Sequence, residues 1–344
     1  FLRANAACPL APLRKGGLGG LRRQPRHGRK EVSVGLKNKV FGSVSEERGF
    51  RSIERSWGND YRLFPQLPFS ALFEPDDTIH DTSNFFFKTS IDYTLCTKAG
   101  KPLLAIDFDG MGHGFNKNGK NGEYVKVRET TDRYRKIKFD FKIRYAERYN
   151  FPYHIISYDE IEPIGEDLNL TIVDGVIGYT VARMDFKQKI QESVRHEAHI
   201  IDSLPPYERQ EYIQGLVTDQ EILSKFEHDP IVKRTLQVGS ELLKQGCSPL
   251  KTWWHLFQPD LPELEYDPPG SWSVPTPSSF NARVAAMDEA SRVGCLCTLT
   301  SCVGEVSETA WMRTVGNFSQ TMVITKNMAE LLAHAKLLRM ASQP

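Results

Sequence analysis

The chain has 344 residues, with 44 Lys and Arg against 43 Asp and Glu and a formal net charge of +1. That length holds two domains, or one domain with a large annex, and the near-neutral balance excludes a uniformly basic, histone-like nucleic-acid binder while leaving room for a local basic groove. No apolar run approaches the ~20 residues that span a bilayer, and six cysteines in so long a chain do not make a disulfide scaffold. These features predict an intracellular protein without a membrane partner; they do not choose between nucleus, cytoplasm and mitochondrion, and they leave protein partners unknown.

Residues 1–44 begin with an Arg-, Lys- and Gly-rich stretch that lacks Asp and Glu through Lys30. This composition fits a disordered basic tail or a mitochondrial-type presequence. Ser45-Glu46-Glu47 then starts a helix with acids in its first turn. Phe50, Ile53 and Trp57 recur on one face, and Gly58-Asn59-Asp60 ends it. Tyr61-Arg62-Leu63-Phe64-Pro65 is a short extended segment. Phe85 to Phe87 and then Ile91-Asp92-Tyr93-Thr94-Leu95, which alternates, predict strand. Thr97-Lys98-Ala99-Gly100-Lys101 is a turn, and Leu103-Leu104-Ala105-Ile106-Asp107-Phe108-Asp109 is an apolar, central strand. A Gly- and Asn-rich loop (110–122), a basic helix (131–149) and a strand after Pro152 complete an α/β unit over residues 45–162.

Downstream, residues 163–258 predict a helical annex, with helices over 183–204 and 208–226. Residues 259–281 predict a Pro-rich linker. Residues 282–344 predict a small C-terminal α/β segment: a helix, strands at 294–300, 308–314 and 321–325, and a last helix from Met328. Cys295, Cys297 and Cys302 are expected as reduced core residues, with a zinc pair as the alternative. Trp253, Trp254 and Trp272 are expected in packing, with base stacking as the alternative.

The chemistry gathers around the Thr97 turn. An antiparallel hairpin with a four-residue loop, Lys98 to Lys101, sets Asp92 opposite Asp107 on one face of the sheet, Cβ atoms ~5 Å apart. Asp109, two residues on, shares that face. Carboxylates at such range raise one another's pKa unless a cation neutralises them, and Mg²⁺ takes a few carboxylates plus water and phosphate oxygens. Asp92 and Asp107 are therefore the expected metal ligands, with Asp109 in support.

Asp92 after an alternating strand, followed by Leu104-Ala105-Ile106-Asp107-Phe108-Asp109-Gly110 with His113 three residues on, resembles the PD-(D/E)XK restriction-endonuclease-like superfamily. The likeness is to its very-short-patch-repair-like branch and a related domain-of-unknown-function family, number twenty-seven twenty-six. Glu47 with Phe50, the segment ending in Pro65-Gln66, and a basic helix with Asp132, Lys136, Lys138, Asp140 and Lys142 match as well. The resemblance covers about a third of the chain and implies a mixed sheet flanked by helices. It implies Asp92, Asp107, Asp109, Glu47, His113 and Lys142 as catalytic residues, with Lys138 and Lys136 on the substrate. The implied function is Mg²⁺-dependent hydrolysis of phosphodiesters in nucleic acid, or a protein descended from such a nuclease. In departure from the pattern, Asp109 replaces the signature lysine, Ile91 replaces the proline before the first Asp, and residues 116–128 look inserted. A non-catalytic nucleic-acid- or protein-binding module is one alternative. A haloacid-dehalogenase-like phosphatase, with Asp107 as nucleophile and Asp109 as acid/base, is another.

Overall fold

The computed structural model describes residues 41–79, 81, 84–109, 115–117, 124–126, 133–156, 160–165, 167–258, 261–266, 292–313 and 320–342. Helix α1 (Val44–Trp57) is capped by Ser43 rather than beginning at Ser45: the Ser43 hydroxyl accepts from the Glu46 N–H at 3.1 Å, satisfying one of the orphan donors of the first turn. Gly49, Ile53 and Trp57 form its buried face. Strand β1 (Arg62–Pro68) follows, then the one-turn helices α2 (Phe69–Leu72) and α3 (Phe85–Lys88). The Phe85 run is helical rather than extended because the Asp81 carboxylate accepts from the N–H groups of Phe85 and Phe86, both at 2.8 Å. Strands β2 (Ser90–Cys96) and β3 (Pro102–Phe108) come next. A small hairpin, β4 (Phe115–Lys117) and β5 (Tyr124–Lys126), lies in the stretch expected as loop and insertion. Helix α4 (Arg133–Arg148) then crosses to β6 (Tyr153–Ile156).

The first sheet has the order β1-β2-β3-β6, antiparallel except for the parallel pair β3–β6. The hairpin turn is tighter than expected. Thr97 N–H reaches Lys101 O at 2.8 Å, Gly100 takes the left-handed region (φ 89°) that only glycine enters without cost, and Cys96 pairs with Pro102. An irregularity between Leu95 and Cys96 then absorbs Leu103, so that Leu95 faces Leu104 and Tyr93 faces Ile106. Continued by one pair, that register sets Asp92 against Asp107. The expected opposition holds because two one-residue differences cancel.

One face of this sheet (Tyr93, Leu95, Leu104, Ile106, Phe108, Ile156) shares a core with α1 and with the rest of the chain. The other face (Ala105, Tyr153, Ile155) packs under an aromatic layer of Phe69, Phe85, Phe141 and Tyr145 that fastens α4 to the sheet.

The annex is α5 (Ile172–His196), α6 (Ala198–Ser203), α7 (Pro206–His228) and α8 (Pro230–Lys244). Helix α5 begins eleven residues before the expected 183. Its first two and a half turns are buried nearly all round, so they show no amphipathic period to read. A capping box between Thr171 and Asp174 starts it. A second sheet, β7 (Lys251–Gln258), β8 (Leu261–Tyr266), β9 (Arg292–Ser301) and β10 (Gly304–Arg313), is antiparallel in the order β10-β9-β7-β8. Helix α9 (Thr321–Ala341) covers it.

Three expectations change here. Strand β7 belongs to this sheet rather than to a helical annex, and β8 forms inside the expected linker. Residues 321–325 open α9 instead of forming a strand. Their β-branched side chains suit either state, and the apolar face continuing through Ile324, Met328, Leu331 and Leu337 decides for helix. The helix expected from Ala282, and Trp272, lie outside the described residues. Cys295 and Cys297 are buried, and burial pushes the Cys295 thiol up to about 12, as for inert core thiols. Trp254 packs under the Lys326 amine, 3.9 Å from the ring centroid.

One hydrophobic core runs from α1 through the first sheet, α5 and α8 to the second sheet and α9. The expected nuclease-like unit, annex and C-terminal segment are thus layers of one compact unit, Phe41–Pro344. Gly178 sits where α5 crosses the α7–α8 junction. A Cβ there would lie 2.4 Å from Pro230 Cδ and 3.1 Å from Asp229 Cα. Gly178→Ala is expected to destabilise by about 1–3 kcal/mol, the usual range for overpacking, and to do so in a single transition in urea monitored by both tryptophan fluorescence and circular dichroism. Two separated transitions would show that the layers unfold independently.

Candidate active site

The site is built at the carboxyl end of β3. Asp107 is only 1% exposed, so its carboxylate must be matched by donors. Its Oδ1 accepts from the Asp92 N–H at 3.1 Å. Its Oδ2 accepts from the Tyr153 hydroxyl at 2.6 Å and from Lys142 Nζ at 2.5 Å. Lys142, 2% exposed, also donates to Ser90 O at 2.6 Å. The aromatic layer holds α4 at the height where Lys142 meets Asp107.

Asp92 reciprocates across the ladder: its Oδ2 accepts from the Phe108 N–H at 2.8 Å, so each acid grips the strand that carries the other. Its Oδ1 accepts from Gln66 Nε2 at 3.0 Å, and Gln66 Oε1 accepts from the Ser90 hydroxyl at 3.0 Å. Gln66 lies in β1 between residues that pair with Tyr93 and Ile91, yet has φ 51°. A non-glycine residue in the left-handed region inside a strand is a backbone outlier of the kind that gathers at functional sites. Burial and the neighbouring Asp107 charge push the Asp92 carboxyl up to about 7, against the lowering effect of the Phe108 N–H and Lys142. The same surroundings push the Tyr153 hydroxyl well above its ordinary range, burial first and the Asp107 charge next, so it serves as a donor.

Of the residues singled out in the sequence, Asp92, Asp107 and Lys142 are brought together. Asp109 is buried just beyond β3, its N–H donating to Ile156 O at 2.6 Å in continuation of the parallel ladder. Glu47 is in a partly exposed pair with Arg51 at 2.5 Å. Its neighbour Glu46 is the one whose charge reaches Asp92. The Glu46 carbonyl also receives the Tyr93 hydroxyl at 2.6 Å, with Gly49 leaving the space. Lys138 lies 5.3 Å from the Phe139 ring centroid. Lys136 is on α4, its side chain outside the described residues, as is the whole of His113. Gln66, Ser90 and Tyr153 had not been singled out for a role. The signals were faint: Gln66 closes a Pro-containing extended segment, and Tyr153 opens the strand paired in parallel with β3.

A second polar cluster joins α5 and α7. Asp185, Glu227 and His228 offer ligand atoms within 4.8 Å of one another, a set able to hold a metal ion. The Lys189 amine already lies between the two acids, 2.9 Å from Asp185 and 2.5 Å from Glu227. Burial alone would raise the Asp185 carboxyl, but hydrogen bonds from Lys189 and Ser224 outweigh it and hold the group below its ordinary value. This cluster is neutralised from within the chain.

Neither the family models, nor the curated proteins, nor the solved structures compared with the chain give a match. Among the described residues no helix is long and apolar enough to cross a membrane.

Lys142→Met strands a buried carboxylate and is expected to destabilise by about 3–5 kcal/mol. Tyr153→Phe removes one donor and is expected to cost about 1–2 kcal/mol. Adding Asp107→Asn to Lys142→Met should recover part of the first loss, all read from urea unfolding.

Asp92 has a raised pKa in the folded chain, so the native state binds its proton more tightly than the unfolded state does. The resulting penalty is absent below about pH 4, grows as pH rises, and is complete above about 7. Asp92→Asn should therefore gain stability relative to the parent between pH 4 and pH 8, by about 1–2 kcal/mol, in paired melts across that range. A difference independent of pH would refute the raised pKa.

Proposed function

We propose that Asp92, Asp107 and Lys142 form the centre of a Mg²⁺-dependent nuclease of the restriction-endonuclease-like type, hydrolysing phosphodiesters in nucleic acid. The observation that carries this reading is the opposition of Asp92 and Asp107 at the carboxyl end of a central strand, with a buried lysine on the second acid. The donor set fits the ion. Two carboxylates in mutual repulsion, one of them raised to about 7, retain lone pairs beyond the hydrogen bonds they accept. Mg²⁺ asks for one or two carboxylates, with water and phosphate oxygens for the rest.

Asp92 and Asp107 would hold the ion, which when bound supplies an activated water and charge stabilisation for phosphoryl oxygens. Lys142 donates to Asp107 and Ser90 and would balance the negative charge gathered beside the ion. Gln66 and the Phe108 N–H fix the orientation of Asp92, and Tyr153 fixes that of Asp107, as outer residues do around metal-binding carboxylates.

The near-complete burial of Asp107 and Lys142 favours a second reading, a nuclease-derived module that binds nucleic acid or protein without cleaving. The phosphatase reading is less well served. As a nucleophile, Asp107 would have three donors competing for its oxygens, and Asp92 and Gln66 would have no task.

The test is calorimetric titration of Mg²⁺ and Mn²⁺ into the parent, Asp92→Asn and Asp107→Asn, with cleavage assays on single- and double-stranded DNA and RNA. Metal binding in the parent is expected to be lost in both variants, with cleavage falling by roughly 10²-fold or more. Absence of binding at millimolar metal would overturn the nuclease reading in favour of the non-catalytic module. Phosphoenzyme trapped on Asp107 would favour the phosphatase.

A further inference from the structure

Among the described cysteines, Cys96, Cys247, Cys295 and Cys297 are buried and Cys302 is exposed. Cys302 occupies the tight turn between β9 and β10, which Ser301 fixes by accepting from the Val303 N–H and donating to Gly304 O, both at 3.3 Å. Cys247 follows α8 in a turn made by Gly246 (φ 70°), with its own N–H on Leu242 O at 2.9 Å. The two turns are neighbours because the chain enters β7 beside β9: the Leu250 N–H donates to Thr300 O at 2.7 Å, and Lys251 pairs with Thr300. The Cys302 thiol reaches the α8–β7 turn there: its S–H donates to the carbonyl oxygen of Gly246, the residue before Cys247, at 3.8 Å.

An exposed thiol beside a buried one is the arrangement of an attacking and a resolving cysteine. Both sit on backbone already held together by the sheet, so drawing the sulfurs to the ~2.05 Å of a disulfide asks for side-chain rotation more than backbone movement. Among the described cysteines Cys302 alone is exposed.

We infer that Cys302 and Cys247 form a site of reversible oxidation, at which a small disulfide of the glutathione class converts the pair into an intramolecular cross-link between the α8–β7 turn and the β9–β10 turn. The Cys302 thiolate attacks one sulfur of glutathione disulfide, forming a mixed disulfide and releasing one glutathione thiolate. The Cys247 thiolate then attacks the Cys302 sulfur and releases the second. The protein loses two electrons and two protons, and two molecules of reduced glutathione carry them away. The neighbouring Cys247 side chain, ahead of burial, holds the Cys302 thiol above its ordinary range. This makes the exchange slow, in keeping with a structural cross-link rather than a fast sensor. The inference does not depend on the nuclease reading.

The test uses the full chain, reduced and then incubated with glutathione disulfide, alkylated, and digested without reductant for mass spectrometry. The expected result is a linked peptide pair containing Cys247 and Cys302, the loss of two alkylatable thiols, and recovery of both with dithiothreitol. The cross-linked form should melt about 5 °C or more above the reduced form, because the closed loop restricts the unfolded chain. Cys302→Ser, at an exposed position, should melt like the reduced parent and form no intramolecular link. Accumulation of a mixed glutathione disulfide at Cys302 with Cys247 still alkylatable would overturn the inference. So would a link joining either cysteine to a different one or to a second copy of the chain.

Discussion

The contact between Lys142 and Asp107 is the constraint on which the first sheet and its site depend. A carboxylate with almost no exposure at the end of a central strand is untenable without a matched charge, and the nearest lysine comes from a helix 35 residues later. The chain must therefore bring α4 across the sheet to a fixed height. The aromatic layer around Phe69, Phe141 and Tyr145 supplies the packing that does so. Tyr153, at the start of the strand that α4 leads into, completes the cage. The geometry of the acid site and the stability of the fold are here the same set of contacts, which is why the variants that probe one will also move the other.

The opposite face of the sheet is tied to the rest of the chain by a polar as well as an apolar seam. The Trp57 indole donates to Asp174 at 2.9 Å, and Asp174 in turn closes the capping box that starts α5. One carboxylate thus joins α1, which lies over the sheet, to the helix that begins the annex. Around it the core is continuous into the second sheet and α9. Such sharing makes the annex a support of the first sheet rather than an appendage, and it sets the acid cluster on a rigid platform, as precise chemistry requires.

Much of this was legible in the sequence wherever a local rule operates. Alternation announced β2, the apolar run announced β3, and the Thr97 turn between them was plain, so the opposition of Asp92 and Asp107 could be counted out residue by residue. Even there the count met the structure by compensation: the shorter turn and the extra residue at Leu103 offset each other. Lys142 was separated from the other lysines of α4 only through its spacing to Pro152 in the resemblance. Periodicity alone could not have chosen it, since a basic helix face is ordinarily solvated.

The sequence by itself determined the α/β character, the strand that carries Asp107, and the residue types able to hold a cation. The tertiary structure alone decided that Gln66 bends out of β1 to reach Asp92, that Tyr153 and Lys142 share one oxygen of Asp107, and that the charge of Glu46 rather than Glu47 acts on Asp92. It alone decided that β7 and β8 belong to a second sheet. The division has a physical cause. Alternation, capping and turn chemistry act over a few residues and leave their mark in the local text, whereas partners of a buried charge and neighbours in a sheet are chosen by packing between segments far apart in the chain.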